Sequence, residues 1–365
     1  MSIEATLIAP DQLATLQAAE PVVIIDTRDA DTFAAGHIPG AVNLREVFTF
    51  LAPVPLRRHK SPGRRTMRVF RRPRMKTVSH IQRNPHGHWV GDGFPVRSIF
   101  SYDDNPVAFS PFLLLDFGGP TTFEPTTKRR GVGSHPHRGF ETVTIVYAGE
   151  VSHRDSTGAG GTIGPGDVQW MTAAAGIVHE EFHSEAFGRS GGPFQMVQLW
   201  VNLPARHKMA PPGYQGITAA QTPTVDLPDV NGQVAGTARL IAGSLLGAQG
   251  PAKTFTPMQV WDVQLKAGHT VTLSAPEGHT TVPLVLKGRV KTQDGAEATD
   301  AEMIVYQRAG EGVTLTAVTD TTLLWLAGEP IDEPVVGYGP FVMNSEAEIH
   351  QAFSDFQSGK MGRLG

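Results

Sequence analysis

The chain is organised around the stretch Gly133-Ser134-His135-Pro136-His137-Arg138-Gly139-Phe140-Glu141 and a later one, Gly176-Ile177-Val178-His179-Glu180-Glu181. In an extended strand, side chains two residues apart lie on the same face. Both histidines of the first stretch therefore point the same way, and so do His179 and Glu181. If the two strands face each other, three imidazoles and one carboxylate converge on one point. That donor set suits a divalent first-row metal such as iron, with open positions for a small molecule.

A second carboxylate, Glu141, is the alternative to Glu181 in this set. It shares the strand parity of His137, but four residues of regular strand place it ~13 Å further along. Only a β-bulge brings it close to the same ion, whereas Glu181 is a single strand repeat from His179. The spacing therefore favours Glu181 as the carboxylate ligand.

Composition limits the classes of protein that this chain can belong to. The 365 residues include no cysteine, which excludes disulfides, zinc–thiolate sites and a cysteine nucleophile. Neither a signal peptide nor a long apolar run is evident, so we expect a soluble cytoplasmic protein without a membrane span. The formal net charge is −4, and residues 57–76 carry ten Lys and Arg without any Asp or Glu. An acidic body with one basic patch is not typical of a nucleic-acid-binding domain.

The pattern of short strands predicts an all-β body. Stretches such as 140–147 and 194–202 alternate apolar and polar residues, and Gly and Pro are plentiful between them. This pattern indicates a sandwich or barrel, and a second block of the same type runs from about Gly213 to Glu329. His269 and His279 are isolated there, so we expect the second block to be structural and free of metal.

The two ends of the chain differ from this body. Residues 22–28 read as a buried parallel strand, and with residues 36–44 they resemble the start of a rhodanese domain. The resemblance covers 1–52, whose Asp26, Arg28 and His37 we interpret as structural because a rhodanese needs a catalytic cysteine. Residues 53–76 have the composition of a basic, disordered linker. At the other end, Ser345 and Glu348 form a capping box that predicts a short helix with Ile349, Ala352, Phe353 and Phe356 on its apolar face.

Several motifs in the body closely resemble the pirin family of the cupin superfamily. They are 135–143, 165–173, 176–181, 198–203 and 339–346, and the resemblance covers roughly 77–361. It implies a bicupin of two antiparallel β-barrels (a double-stranded β-helix fold), with a metal-containing cupin at 77–210, a metal-free cupin at 211–335 and a tail with a docking helix at 336–365. Carried over by motif, the metal ligands are His135, His137, His179 and Glu181. The resemblance implies one Fe2+ per chain, and Mn, Cu, Ni, Co or Zn are alternatives.

The resemblance implies two functions that the sequence does not separate. Similar proteins are described as quercetin 2,3-dioxygenases, which cleave a flavonol ring and release carbon monoxide. Others are described as redox-sensing regulators that bind a transcription factor or a metabolic enzyme. In the first case Glu181 takes a proton from the substrate.

For five further side chains the sequence is compatible with more than one role. Arg138 steadies a developing negative charge or forms an ion pair at the rim. Met196, Gln198 and Trp200 share one strand face, which lines either a pocket or the barrel core. His153 either supports a ligand from behind or is exposed.

Overall fold

The computed structural model describes residues 22–26, 41–43, 68–71 and 74–364. It divides the chain into two units, Met1–Arg74 and Met75–Gly365. Of the residues predicted to be structural in the first unit, Arg28 and His37 lie outside the described part of the chain.

In the first unit, the described residues form a small sheet with the order β2-β1-β3. Its strands are β1 (Val22–Asp26), β2 (Ala41–Asn43) and β3 (Arg68–Arg71). The strand predicted from residue 22 is confirmed, and it runs parallel to β2 and antiparallel to β3. Residues 68–71, which were predicted to belong to a disordered linker, form strand β3 in the structure. Their backbone groups pair with those of β1, and such pairing stabilises an extended conformation even in a basic stretch.

The first barrel of the second unit consists of a seven-stranded and a four-stranded antiparallel sheet. The larger sheet has the order β15-β12-β9-β14-β7-β6-β5, and the smaller has the order β11-β10-β13-β8. The elements in chain order are β4 (Val78–Arg83), β5 (His88–Val90), β6 (Phe94–Ser101), β7 (Phe112–Phe123), β8 (Gly131–His137), β9 (Phe140–Ala148), β10 (Val151–Asp155), β11 (Gly160–Ile163), β12 (Val168–Thr172), β13 (Ile177–His183), α1 (Glu185–Ser190), β14 (Gly192–Asn202) and β15 (Gly213–Ile217).

The second barrel repeats this architecture with an eight-stranded and a four-stranded sheet. Their orders are β16-β17-β20-β28-β23-β26-β4, with β22 paired to β28, and β21-β27-β24-β25. The elements are β16 (Thr224–Pro228), β17 (Val234–Ala242), β18 (Ser244–Leu245), β19 (Ala248–Gln249), β20 (Met258–Leu265), β21 (Thr270–Ser274), β22 (Thr280–Thr281), β23 (Leu284–Lys287), β24 (Arg289–Thr292), β25 (Glu297–Thr299), β26 (Glu302–Tyr306), β27 (Gly312–Ala317) and β28 (Thr321–Gly328). The prediction of two antiparallel β-barrels is therefore confirmed.

The ends of the second unit cross between the barrels. β4 precedes the first barrel in sequence but pairs with β26 of the second, so the predicted start of the first domain at residue 77 does not follow the sheet boundary. After the second barrel, the chain forms β29 (Val336–Tyr338), β30 (Phe341–Met343) and α2 (Glu346–Gln357). β30 returns to the first barrel, where Phe341 forms a bridge with Arg138.

The predicted C-terminal helix is confirmed as α2. The Ser345 hydroxyl caps it by accepting from the backbone N–H of Glu348. Ile349 and Ala352 are buried in a cluster with Val178 of the first barrel. Phe356, which was predicted on the apolar face, is instead 38% exposed.

The core between the barrels is built from the outer faces of their larger sheets. One buried cluster contains Val143, Ile145 and Trp170 of the first barrel together with Val260 and Leu324 of the second. Because side chains alternate along a strand, the neighbouring residues on β9 and β12 point into the first barrel instead. The inward-facing positions of these strands therefore surround the candidate site.

Candidate metal centre

Three histidines meet inside the first barrel on the neighbouring strands β8 and β13. These strands pair antiparallel with His135 opposite His179, so the predicted parity brings both histidines of β8 towards the same point as His179. The ring centroids of His135 and His179 are 4.3 Å apart, and that of His137 is 4.8 Å from each. One nitrogen from each ring lies within 4.8 Å of the others, which is a spacing that one ion can bridge.

Two of the three rings carry a buried nitrogen that has no hydrogen-bond partner among the described residues. These nitrogens are Nδ1 of His137 and Nε2 of His179. Nδ1 of His135 lies 2.8 Å from the carbonyl oxygen of Gly133, which can only accept, so the lone pair of His135 is at Nε2. An unpartnered buried polar atom costs about 1–3 kcal/mol. The three lone pairs therefore fit a metal ion.

Burial also keeps two of the rings in the form that binds metal. Desolvation holds the pKa of His137 and that of His179 well below their ordinary range, and the neighbouring imidazoles lower both further. A metal ligand must be the neutral imidazole. The lone pairs of these two neutral rings are therefore available to a cation.

His153 and Asp155 support His179 from behind, which resolves the open question about His153. His153 is buried, with its Nε2 3.2 Å from Oδ2 of Asp155 and its Nδ1 3.2 Å from Nδ1 of His179. Although burial alone raises the pKa of Asp155, hydrogen bonds from His153 and Thr157 lower it. An ionised Asp155 only accepts, so in neutral His153 the nitrogen Nδ1 must accept from His179. This chain of hydrogen bonds leaves Nε2 of His179 free for the ion.

Glu181 lies beside this cluster on the inward face of β13. Its carboxylate oxygen is grouped with nitrogens of His179 and His153 within 4.8 Å. Three donors hold it, namely Gln198 to Oε2 at 3.0 Å, Thr144 to Oε1 at 3.2 Å and Gln169 to Oε1 at 3.3 Å. Of the four predicted ligands, the structure thus brings the three histidines into one group and sets Glu181 next to His179.

Glu141 faces away from the site because the strand does not continue from His137. β8 ends at His137, and β9 begins at Phe140 after a turn at Gly139, whose φ of +91° suits glycine. A Cβ at Gly139 would also lie 1.9 Å from the carbonyl oxygen of Val342. The assumption of one regular strand was therefore wrong. Glu141 points to the face between the barrels, where Thr172 donates to it at 2.7 Å and burial raises its pKa to about 7.

A cavity of about 440 Å³ opens beside the histidines. The predicted trio Met196, Gln198 and Trp200 lines it, and apolar atoms make up most of the surface of the cavity wall. The wall residues also include His88, Val90, Phe94, Val96, Ser98, Leu114, Asp116, Val132, His135, His137 and Glu181. A volume in this range can hold a small organic molecule beside the histidines.

Arg138 does not line this cavity. Its guanidinium donates to Asp355 of α2 at 2.9 Å and to the carbonyl of Ala175 at 2.7 Å, and the side chain is buried. Of the two roles left open for Arg138, the ion pair is the one that the structure contains. The pair ties the C-terminal helix to the turn that follows His137.

Two sets of site residues, the pair His153 and Asp155 and the single residue Asp116, have features in the sequence from which a role could have been predicted. His153 and Asp155 obey the same two-residue spacing as the predicted ligands, and Asp155 is opposite His179 in the sheet. Asp116 is the acidic residue in the apolar strand 112–117, where a carboxyl group is unexpected unless it has a partner or a purpose.

Comparison with known proteins identifies the family. The family described as Pirin matches residues 93–201, and the one described as Pirin C-terminal cupin domain matches 260–362. A Pseudomonas aeruginosa protein, named provisionally as a quercetin 2,3-dioxygenase, is 56% identical over 289 residues, covering 79% of this chain and 99% of that protein. The chain belongs to the pirin family. Pirin-1 of Arabidopsis thaliana is 36% identical over 277 residues, which are 74% of this chain and 90% of Pirin-1.

A solved structure supports the assignment of this chain to the pirin family. The crystal structure of a quercetin 2,3-dioxygenase from Acinetobacter baumannii is 52% identical, with a TM-score of 0.76, and covers 80% of this chain and 100% of that one. The family described as Rhodanese-like domain matches residues 9–79, which extends beyond the 1–52 predicted from motifs. In the described part of the chain, no helix is long and apolar enough to cross a membrane.

Proposed function

We propose that this chain is a metal-dependent dioxygenase that cleaves the ring of flavonols or related enediols. The observation that carries the proposal is the cluster of three imidazole lone pairs beside Glu181, at one end of an apolar cavity. The relatives named as quercetin 2,3-dioxygenases support the substrate class.

His135, His137 and His179 would hold the ion, with Glu181 as the fourth ligand or its immediate neighbour. We propose iron, because a set of imidazoles and one carboxylate with open positions suits Fe(II) oxygenases. When bound, such a metal supplies Lewis acidity and a route for electrons between an organic substrate and dioxygen.

Glu181 is the base in this proposal. Its side chain lines the cavity, and donors from Gln198, Gln169 and Thr144 fix the carboxylate in one orientation. A carboxylate held in this way can accept the proton of the flavonol 3-hydroxyl once that hydroxyl lies within hydrogen-bond reach. The proton then resides on Glu181 while the substrate is an anion.

The apolar wall orients the substrate and excludes water. Trp200 stacks on Phe140 at 4.3 Å, and Phe140 in turn packs against His137, so the wall is continuous with the histidine cluster. A flat aromatic ligand fits between such rigid aromatic and aliphatic side chains. Arg138 acts as a positioning residue, since its ion pair with Asp355 fixes the turn that follows His137.

The test is turnover of quercetin by protein of measured metal content. We expect the flavonol absorbance to fall in the presence of oxygen, with carbon monoxide released in proportion. His135→Ala should abolish this loss, because it removes one of the three imidazoles. Glu181→Gln should retain most of the metal but lose about 10²–10⁴-fold in rate, as is typical for removal of a general base.

His269→Ala is the matched control, since it alters an imidazole of the second barrel that pairs with Asp229 at 3.0 Å. It should leave turnover unchanged. A wild-type rate equal to that of His135→Ala, at full metal content, would contradict the dioxygenase proposal. In that case, a protein partner captured only in the ferric state would favour the redox-sensing regulator.

A further inference from the structure

The cavity has a second polar end that the metal site does not use. Asp116 and Ser98 line the wall formed by β6 and β7, among the apolar side chains of Val96 and Leu114. Asp116 is only 7% exposed, yet it belongs to neither group of possible metal ligands. A buried carboxyl in an apolar wall is costly unless it is paired, so its presence requires an explanation.

Asp116 has a fixed orientation and spare capacity to accept. The Ser98 hydroxyl donates to its Oδ1 at 2.5 Å, and this is the one hydrogen bond that the described residues give its carboxyl group. Burial raises the pKa of Asp116, while the Ser98 hydrogen bond and the exposed His88 act in the opposite direction. In either protonation state, a carboxyl group with one hydrogen bond retains lone pairs for another donor.

The sheet register fixes where Asp116 lies relative to Glu181. Asp116 is opposite Gln198 on β14 and opposite Ser98 on β6, so the three side chains form a row across the sheet. The amide of Gln198 reaches Glu181 at one end of this row. Asp116 lies one strand spacing, ~5 Å, beyond Gln198. A ligand that reaches from the histidines along this row therefore meets an acceptor at its far end.

This arrangement selects for one chemical feature of the ligand. A hydroxyl group at the far end can donate to Asp116, whereas a carboxylate at that end has no hydrogen to offer its acceptor oxygens. A ligand with only hydrogen at that end leaves Asp116 buried and without its second partner, which weakens binding.

We propose that Asp116, oriented by Ser98, is the specificity-determining residue that accepts a hydrogen bond from a phenolic hydroxyl at the end of the substrate remote from the histidines. The preferred substrates are then uncharged polyphenols that carry hydroxyls on the pendant phenyl ring and not only on the fused ring system. This inference rests on the proposed function and narrows its substrate class.

Two ligands that differ only in those hydroxyls provide the test. Quercetin has two hydroxyls on its pendant phenyl ring, and 3,5,7-trihydroxyflavone has none on that ring. Dissociation constants are measured without oxygen on metal-loaded protein, from quenching of tryptophan fluorescence, since Trp200 lines the cavity. Asp116→Leu should raise the Kd for quercetin about tenfold or more, and that for trihydroxyflavone less than about threefold.

Leu114→Ala is the matched control, because Leu114 lies two residues away on the same wall and contributes only apolar contact. It should weaken both ligands by the same factor. Asp116→Asn, which keeps the shape and an acceptor oxygen, should fold even if Asp116→Leu does not. It should give a smaller loss in the same direction, again for quercetin alone. The metal content of every variant is measured alongside.

The outcomes separate this inference from the function on which it rests. If both ligands bind to wild type but respond equally to the Asp116 variants, the role of Asp116 is overturned and the dioxygenase proposal stands. If metal-loaded wild type neither binds nor consumes either flavonol, both are overturned. Selective loss for quercetin supports the inference.

Discussion

The two barrels share an architecture but use their interiors in opposite ways. The second barrel is filled by apolar side chains from both of its sheets, including Trp261 and Trp325, whose rings stack 5.7 Å apart. The first barrel places histidines, Glu181 and amide side chains on its inward face and leaves a cavity of about 440 Å³. Among the residues that the structure describes, the His and carboxylate groups that suit a metal all belong to the first barrel.

This contrast shows how the fold separates stability from chemistry. A close-packed interior contributes hydrophobic and dispersion free energy. In the first barrel, two buried nitrogens without partners, at His137 and His179, lie on the paired strands β8 and β13, which lowers the stability of the folded protein until a ligand binds. Because the two barrels share an apolar core, the closely packed second barrel stabilises the first barrel, which contains the cavity.

Loss of the metal should distinguish the two barrels most strongly. His179→Ala removes the imidazole common to both groups of possible ligands. We expect the metal content, measured by elemental analysis, to fall from about one ion per chain to less than about a tenth of that. His279→Ala in the second barrel should leave the metal content unchanged. Equal loss in both variants would contradict the assignment of metal binding to the first barrel.

The next effect is on the stability of the filled barrel. Trp325→Ala removes a fully buried ring and should lower the free energy of unfolding by about 3–5 kcal/mol in denaturant titrations. Trp200→Ala in the first barrel should cost less, because Trp200 is only half-buried on the cavity wall. If Trp200→Ala costs more than Trp325→Ala, the assignment of the stabilising core to the second barrel is wrong.

The core between the barrels should give the protein a pH-dependent stability. The folded-state pKa of Glu141 is about 7, above the ordinary value of 4.5, because of burial. Its contribution is fully present below about pH 4.5 and is lost as the pH rises through 7, by roughly 3 kcal/mol at most. Glu141→Gln, which mimics the protonated acid, should unfold with a weaker pH dependence in this window and should retain the metal. Loss of metal in this variant would return Glu141 to the ligand set.

The smallest effect concerns the support behind His179. His153→Phe keeps a ring to stack on Tyr214 but breaks the hydrogen-bond chain from Asp155. We expect the metal affinity, measured by competition with a chelator, to fall about 10–100-fold. His183→Phe is a suitable control, because His183 is a buried histidine of β13 that contacts the backbone of Gly93. A similar loss in both variants would indicate a general packing effect.

Much of the fold and of the site could be predicted from local patterns. The paired ligands of β8 and β13 follow from strand parity, which is a property of any extended backbone. The same holds for the inward trio of Met196, Gln198 and Trp200. Ser345 was identified as a helix cap because capping depends on residues within one turn.

Other features depend on pairings between distant parts of the chain. Strand β4 precedes the first barrel in sequence but pairs with β26 of the second barrel. Its sequence alone gives no register for that pairing. Arg138 finds its partner in Asp355, and Asp116 finds Gln198 and Ser98, across separate strands and helices. Such contacts depend on register and turn geometry, which are set by the whole sheet.

Strand parity in the sequence was sufficient to predict that three imidazoles and a carboxylate can lie on one face, because side-chain direction alternates with each residue. It did not determine that Glu141 turns away, since the left-handed glycine between His137 and Phe140 resets that alternation. Which carboxylates surround the cavity depends on the tertiary structure, because burial and register are set by strands that lie far apart in the chain.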